Sequence, residues 1–381
     1  MKRVIIHAEV YTGETVIFDG FVRFEKEISA VGKMSEYVPE SGEEVIDAAG
    51  SRLVPGVIDV HSHGGYGVDN MDGDAEDINR MIAAMHREGI TSYFPTTMTQ
   101  SSENIERALI GIRKASEKNP VIQGIHLEGP FISVVHKGAQ PEEHIKLPDA
   151  ALMRRWQDLS GGLIRLVTYA PETTDATAFE KYCLDNRIVL SVGHSDALRS
   201  QLRKSKAAHV THLFNAQRGL HHREPGVNGH ACLEDDIYAE MIVDGLHIDP
   251  EMVKIAFKQK GADRIELITD AMRAKGMGDG ISELGGQKVI VKEGQARLES
   301  GNLAGSVLGF QEAFRNIIAF TGCSILDAVK MSSVNQAREF GLVRKGGIAP
   351  GKDADMVLLS ETFAVERTIS YGQTVYKKNG K

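Results

Sequence analysis

The chain has 381 residues, 52 acidic and 44 basic, with a formal net charge of −8. That balance excludes a general nucleic-acid binder, which would carry a basic field. With 42% hydrophobic and 25% charged residues, it has the profile of a soluble globular protein with a core, long enough for two to three domains or one large barrel with an attachment.

The N-terminus, MKRVIIHAEV, holds an apolar run broken by His7 and Glu9, too short for a signal-peptide core. From there to about residue 53 the pattern alternates, with VIIHAEV, ETVIFDG and FVRFEKEISAVG reading as short strands between turns at Gly13 and Asp19-Gly20. The middle has another rhythm. Eight apolar strands are predicted at 57–61, 91–97, 121–128, 163–170, 188–194, 209–215, 238–247 and 265–271, with helical periodicity between most of them. Strand–helix alternation of this kind predicts an α/β fold, and eight repeats predict a (β/α)8 TIM-like barrel. A doubly wound sheet is the alternative, but GGYG after His63 lacks the G-x-G-x-x-G spacing. Residues 129–148 and 216–236 read as long irregular loops over the C-terminal face. Strand texture returns in ADMVLLS (354–360) and VERTISYGQTVYKK (365–378). The expected organisation is therefore a barrel over 54–343 and a small β-sandwich domain built from 1–53 and 344–381.

Cys183, Cys232 and Cys323 lie far apart without a C-x-x-C, so the expectation is reduced, buried thiols and no thiolate zinc site. No stretch approaches the ~18 uncharged apolar residues of a membrane span. A cytoplasmic protein without membrane or nucleic-acid partners is expected.

Barrel enzymes carry their reacting groups at the C-terminal ends of the strands. Strand one here ends in His61-Ser62-His63, strand three in Glu128, strand five in His194, strand six in His212, strand seven in Asp244-Gly245-Leu246-His247 and strand eight in Asp270. Each alone is weak, since 14 histidines give about 0.5 chance H-x-H pairs in such a chain. Their coincidence on one rim, in order, predicts a metal centre. His61 and His63 point to one side of their strand and can share an ion; imidazole with carboxylate suits zinc or iron, not calcium. His126, two residues before Glu128, reads as packing against the site, His209 as structural, and Asp69 and Asp72 as turn formers. The run Arg218 to Arg223, with His221 and His222, reads as a local anion site because Arg gives bidentate hydrogen bonds to phosphate.

These phrases resemble a known family. VPGVIDVHSHG (54–64), HLEGPFIS (126–133), KGAQPEEHI (137–145), SVGHSDA (191–197), THLFNAQ (211–217), REPG (223–226), VDGLHI (243–248), ITDAM (268–272), LAGS (303–306) and GGIAPGKDADMVLL (346–359) are similar to motifs of the N-acetylglucosamine-6-phosphate deacetylases of the amidohydrolase superfamily. The resemblance runs essentially from end to end. It implies Glu128, His194 and His212 as ligands of a principal metal, and His61 and His63 as ligands of a second, with Glu128 bridging. It implies Asp270 as the catalytic acid/base. It further implies Gln140, Asn215, the Ala216 backbone, Arg223 and His247 as contacts to the phosphorylated amino sugar, with His247 also reaching the acetyl oxygen. Leu303, Ala304, Gly305 and Ser306 match a loop closing over the sugar. A homodimer is implied too, because the counterpart of Arg223 can come from the other subunit. Many members carry histidine where this chain has Gln140. Some lack the H-x-H pair and run on one metal, so one or two divalent cations, zinc or iron, are expected per subunit.

Three rival readings compete with this resemblance. A cyclic amidase of the same superfamily commonly bridges its metals with a carboxylated lysine ending strand four, where this chain reads LVTYAPE. A metal-free interaction protein on the same barrel would have lost ligands, and all six positions are filled. An N-acetylgalactosamine-6-phosphate deacetylase differs at one sugar hydroxyl, which a single sequence does not discriminate.

Overall fold

The computed structural model describes residues 1–378. The chain opens with β1 (Arg3–Tyr11), β2 (Val16–Phe24), β3 (Ile28–Lys33), β4 (Glu44–Asp47) and β5 (Arg52–Pro55). The barrel strand β6 (Val57–Ser62) follows, then a two-residue ribbon of β7 (Gly64–Gly65) and β8 (Val68–Asp69). Seven more barrel strands come next: β9 (Ile90–Thr97), β10 (Ile125–Glu128), β11 (Ile164–Tyr169), β12 (Val189–Val192), β13 (His209–Val210), β14 (Tyr238–Ile242) and β15 (Ile265–Ile268). After them stand a three-stranded antiparallel sheet, β16 (Gly280–Leu284), β17 (Gln287–Lys292) and β18 (Gln295–Leu298), and last β19 (Met356–Leu359), β20 (Val365–Ser370) and β21 (Gln373–Lys377).

By contact density the chain divides into two units, Met1–Asp59 with Ala83–Ser92 and Phe310–Lys381, and Val60–Ile82 with Tyr93–Gly309. In the first, the strands from both ends join one sheet in the order β21-β20-β19-β5-β1-β2-β3, with β4 also pairing β1. The alternation seen in the sequence is the cause: Ile5, Ala8 and Val10 of β1 and Val22 and Phe24 of β2 are buried with Leu53, Met356 and Ile369 in one apolar core. Hydrophobic residues on one face of an alternating strand can be satisfied only this way.

The eight barrel strands run in sequential order, β6 through β15, parallel wherever their register is defined. β11, β14 and β15 are almost wholly buried, as strands covered on both faces must be. At the C-terminal end the first and last strands meet through backbone bonds, Asp270 N to His61 O at 2.8 Å and His63 N to Ala271 O at 2.8 Å.

The eight predicted strands are present, but several are shorter. β13 keeps only two residues of the expected 209–215, and β14 stops at Ile242, so that Asp244–His247 forms a turn. Backbone direction explains it: His212, Phe214 and Ala216 have φ of 31°, 78° and 46°, which no β ladder accommodates. The stretch 216–236, expected as loop, contains the helix Gly226–Leu233; its sequence, GVNGHACL, carries two glycines that mask the helical signal. Among the described residues no helix is long and apolar enough to cross a membrane.

Candidate metal centre

Six of the side chains at the strand ends converge on one cavity of about 330 Å³, within the range of small-molecule sites. Glu128 closes β10, and its Oε1 lies 3.1 Å from His194 Nε2 and 3.1 Å from His212 Nε2. The two imidazole nitrogens are themselves 3.1 Å apart. Three donor atoms each about 2.0–2.1 Å from one tetrahedral ion would stand roughly 3.4 Å from one another, close to this triangle. The tautomer agrees. His194 Nδ1 donates to the His136 carbonyl at 2.9 Å, so in the neutral ring Nε2 turns a lone pair toward the Glu128 carboxylate. Lone pairs facing one another in a buried site need a cation between them, and this donor set fits one.

A second group adjoins the first. His63 Nε2 lies 3.2 Å from Glu128 Oε2 and 3.3 Å from Asp270 Oδ1; His61 Nε2 lies 3.5 Å from the same Asp270 oxygen and 3.6 Å from Glu128 Oε1. Glu128 thus touches both groups: Oε2 faces His63, while Oε1 faces His61 as well as His194 and His212.

The fields inside the cluster are strong. Burial raises the Glu128 carboxyl, but His61, His194, His212 and His63 more than reverse this and hold it well below the usual carboxylate range. Burial likewise opposes charge on His61, yet Glu240, Asp270 and Glu128 push it up to about 9. Asp270 is lowered despite burial, because His61 and His63 face it, so it is an ionised base at neutral pH.

Glu240 was not anticipated. Fully buried in the middle of β14, it accepts His61 Nδ1 at 2.8 Å and the His212 backbone N–H at 3.0 Å, and its other oxygen lies 3.2 Å from His209 Nε2. One carboxylate therefore holds the His61 ring of one group and the backbone of His212 in the other. The signal was a lone charge in the apolar strand YAEMI, since a buried carboxylate persists only when paired. Asp244 does the same for His247, holding Nδ1 at 2.6 Å and the backbone N–H at 2.8 Å.

Of the other anticipated residues, Gln140, Asn215, Ala216, His247, Leu303 and Gly305 line the cavity. Ala304 and Ser306 are buried behind its wall, where Ser306 N–H donates to the Asp270 carbonyl at 2.7 Å. Arg223 does not reach the cavity. It sits on an exposed turn bridged by His221 and Glu224, with Nη1 2.7 Å from His222 Nε2. His126 packs its ring edge-on against His61, 4.4 Å between centroids, and pairs with Thr168 Oγ1 at 2.7 Å. Asp69 accepts from Met71 N–H and so forms a turn, as expected. The β16–β18 sheet, also unanticipated, adds Leu284 to the wall.

The amidohydrolase family model matches residues 52–375. The chain is 42% identical over 378 residues to the N-acetylglucosamine-6-phosphate deacetylase of Bacillus subtilis (strain 168), covering 96% of this chain and 95% of the relative. It is 36% identical to the N-acetylgalactosamine-6-phosphate deacetylase of Escherichia coli O157:H7, covering 84% and 87%. Among solved structures, a mutant N-acetyl-D-glucosamine-6-phosphate deacetylase from Mycobacterium smegmatis, in complex with N-acetyl-D-glucosamine-6-phosphate, superposes with a TM-score of 0.93 at 31% identity, covering 99% and 100% of the two chains.

Proposed function

The chain belongs to the amidohydrolase family, and from that premise we propose that it removes the acetyl group from N-acetyl-D-glucosamine 6-phosphate, giving D-glucosamine 6-phosphate and acetate. The observation that carries the reading is the triangle of Glu128, His194 and His212 beside an ionised Asp270 in one cavity. Glu128, His194 and His212 would hold a divalent cation, zinc or iron, and His61 and His63 a second.

An acetamide is a poor electrophile, and an amine a poor leaving group. A bound cation supplies a Lewis acid for the carbonyl and brings the pKa of water toward ~7. Asp270 accepts the proton of the attacking water and delivers it to the departing amine nitrogen. His247, its ring held through Nδ1 by Asp244, lines the cavity and is placed to reach the acetyl oxygen. Asn215 and the Ala216 backbone, on the turn after β13, bind the sugar phosphate, and the Leu303–Ser306 segment covers the sugar.

The exposed position of Arg223 supports a contact made across a homodimer, each guanidinium completing its partner's phosphate site. Arg223→Ala is expected to raise KM for the phosphorylated sugar about 10- to 100-fold, the worth of a charge-assisted hydrogen bond, with kcat little changed. An unchanged KM, read from steady-state rates, removes the residue from the phosphate site.

A cytoplasmic location is part of the same proposal. The test of the whole reading is acetate release from both 6-phosphorylated N-acetylhexosamines, on protein of measured metal content. Faster turnover of the gluco substrate is expected. Preference for the galacto epimer would move the chain to the function of its Escherichia coli relative, and release from neither would end the proposal.

A further inference from the structure

Gln140 lines the cavity, and each end of its amide is engaged by the protein. Its Oε1 accepts the Thr99 backbone N–H at 2.7 Å, which fixes the orientation of the amide. Its Nε2 then donates to Glu128 Oε2 at 2.7 Å. Both residues are buried, Gln140 to 5% exposure and Glu128 to 2%.

The other nitrogens around Glu128 are ring nitrogens. His194 Nδ1 lies against the His136 carbonyl and His61 Nδ1 against Glu240, so in the cation-bound site their Nε2 atoms would turn lone pairs to the ion and give Glu128 no proton. Gln140 Nε2 is thus the donor that Glu128 keeps whatever the state of the histidines. A carboxylate has two lone pairs on each oxygen. One pair of Oε2 is taken by Gln140, which stops rotation about the terminal bond and leaves Oε1 aimed at His194 and His212.

We infer that Gln140 is a positioning residue: through Thr99 and Glu128 it locks the carboxylate shared by both histidine groups, and so sets how firmly this site retains its cation. The loop carrying it is itself tied down, since Gln287 Nε2 of β17 donates to the Ala139 carbonyl at 2.6 Å. The inference rests on Glu128 being a metal ligand, as proposed above.

The test uses zinc as the probe. Wild type, Gln140→Leu and Gln140→His are loaded with zinc, checked for unchanged far-UV circular dichroism, and titrated with a chelator while bound zinc is measured. Partners of this kind typically contribute 10- to 100-fold in metal affinity. Gln140→Leu is expected to lose zinc at a chelator concentration about 10-fold lower or more, and Gln140→His, which keeps an N–H donor, to recover most of that. In kinetics the leucine variant should lose kcat with KM changed far less. Zinc retention equal to wild type in Gln140→Leu overturns the inference, as does a raised KM at unchanged retention, the sign of direct sugar contact. Equal loss in both variants overturns it too, because packing and not donation would then be responsible. Wild-type protein that holds no zinc or iron would instead sink the metal reading itself.

Discussion

Asp270→Asn is expected to lower kcat by about 10²–10⁴, the usual worth of a positioned general acid/base, while the protein keeps at least one cation per chain. Asparagine has the size and shape of aspartate, so the backbone bonds from Asp270 N to His61 O and from Ser306 N to Asp270 O should survive. What it lacks is a basic oxygen. Asp270 is held in its ionised form by His61 and His63, and it stands outside the Glu128–His194–His212 triangle. Chemistry should therefore fail without loss of the ion. Elemental analysis beside steady-state rates reads both quantities, and a variant turning over at near wild-type speed removes Asp270 from proton transfer.

His212→Ala should behave in the opposite manner, losing ion and turnover together. His212 Nε2 is one of three donors meeting within 3.1 Å. Without it Glu128 and His194 remain, and two ligands hold a divalent ion poorly. We expect retention to weaken by more than the 10- to 100-fold typical of a partner that only orients a ligand. Metal content equal to wild type contradicts the ligand assignment. Circular dichroism should be unchanged, because the backbone of residue 212 is still bonded to Glu240.

Much of this was readable in the residues. Eight apolar runs separated by helical periodicity specify a barrel, because only a parallel sheet covered on both faces buries strands such as IELI and YAEMI throughout. The cluster was readable for a related reason: histidines and acids at strand ends are costly to bury singly, so their order along one rim signals a shared partner. Geometry that depends on backbone direction was less legible. His194, His212 and Asp270 adopt φ of 48°, 31° and 46°, and nothing in their identity signals a left-handed turn, so strand lengths were overestimated. Glu240 was overlooked because its charge lies in mid-strand, where a pattern of apolar residues draws the eye past it. Gln140 was legible as a cavity residue, while its commitment to Thr99 and Glu128 is a matter of three-dimensional distance. The β16–β18 sheet was missed because its alternation, GISELGGQKVIVKEGQARL, lies within a stretch assigned wholly to barrel.

The small sheet places strands from opposite ends of the chain side by side, β19 against β5 in the register Met356↔Pro55 to Leu359↔Arg52. During synthesis β5 leaves the ribosome about 300 residues before its neighbour exists. At ~5–20 residues per second that interval is roughly 15–60 s. Throughout it one ladder of β5 is an open edge, the kind of surface that recruits stray strands. The nascent protein thus has a window of vulnerability that closes only when β19 is made.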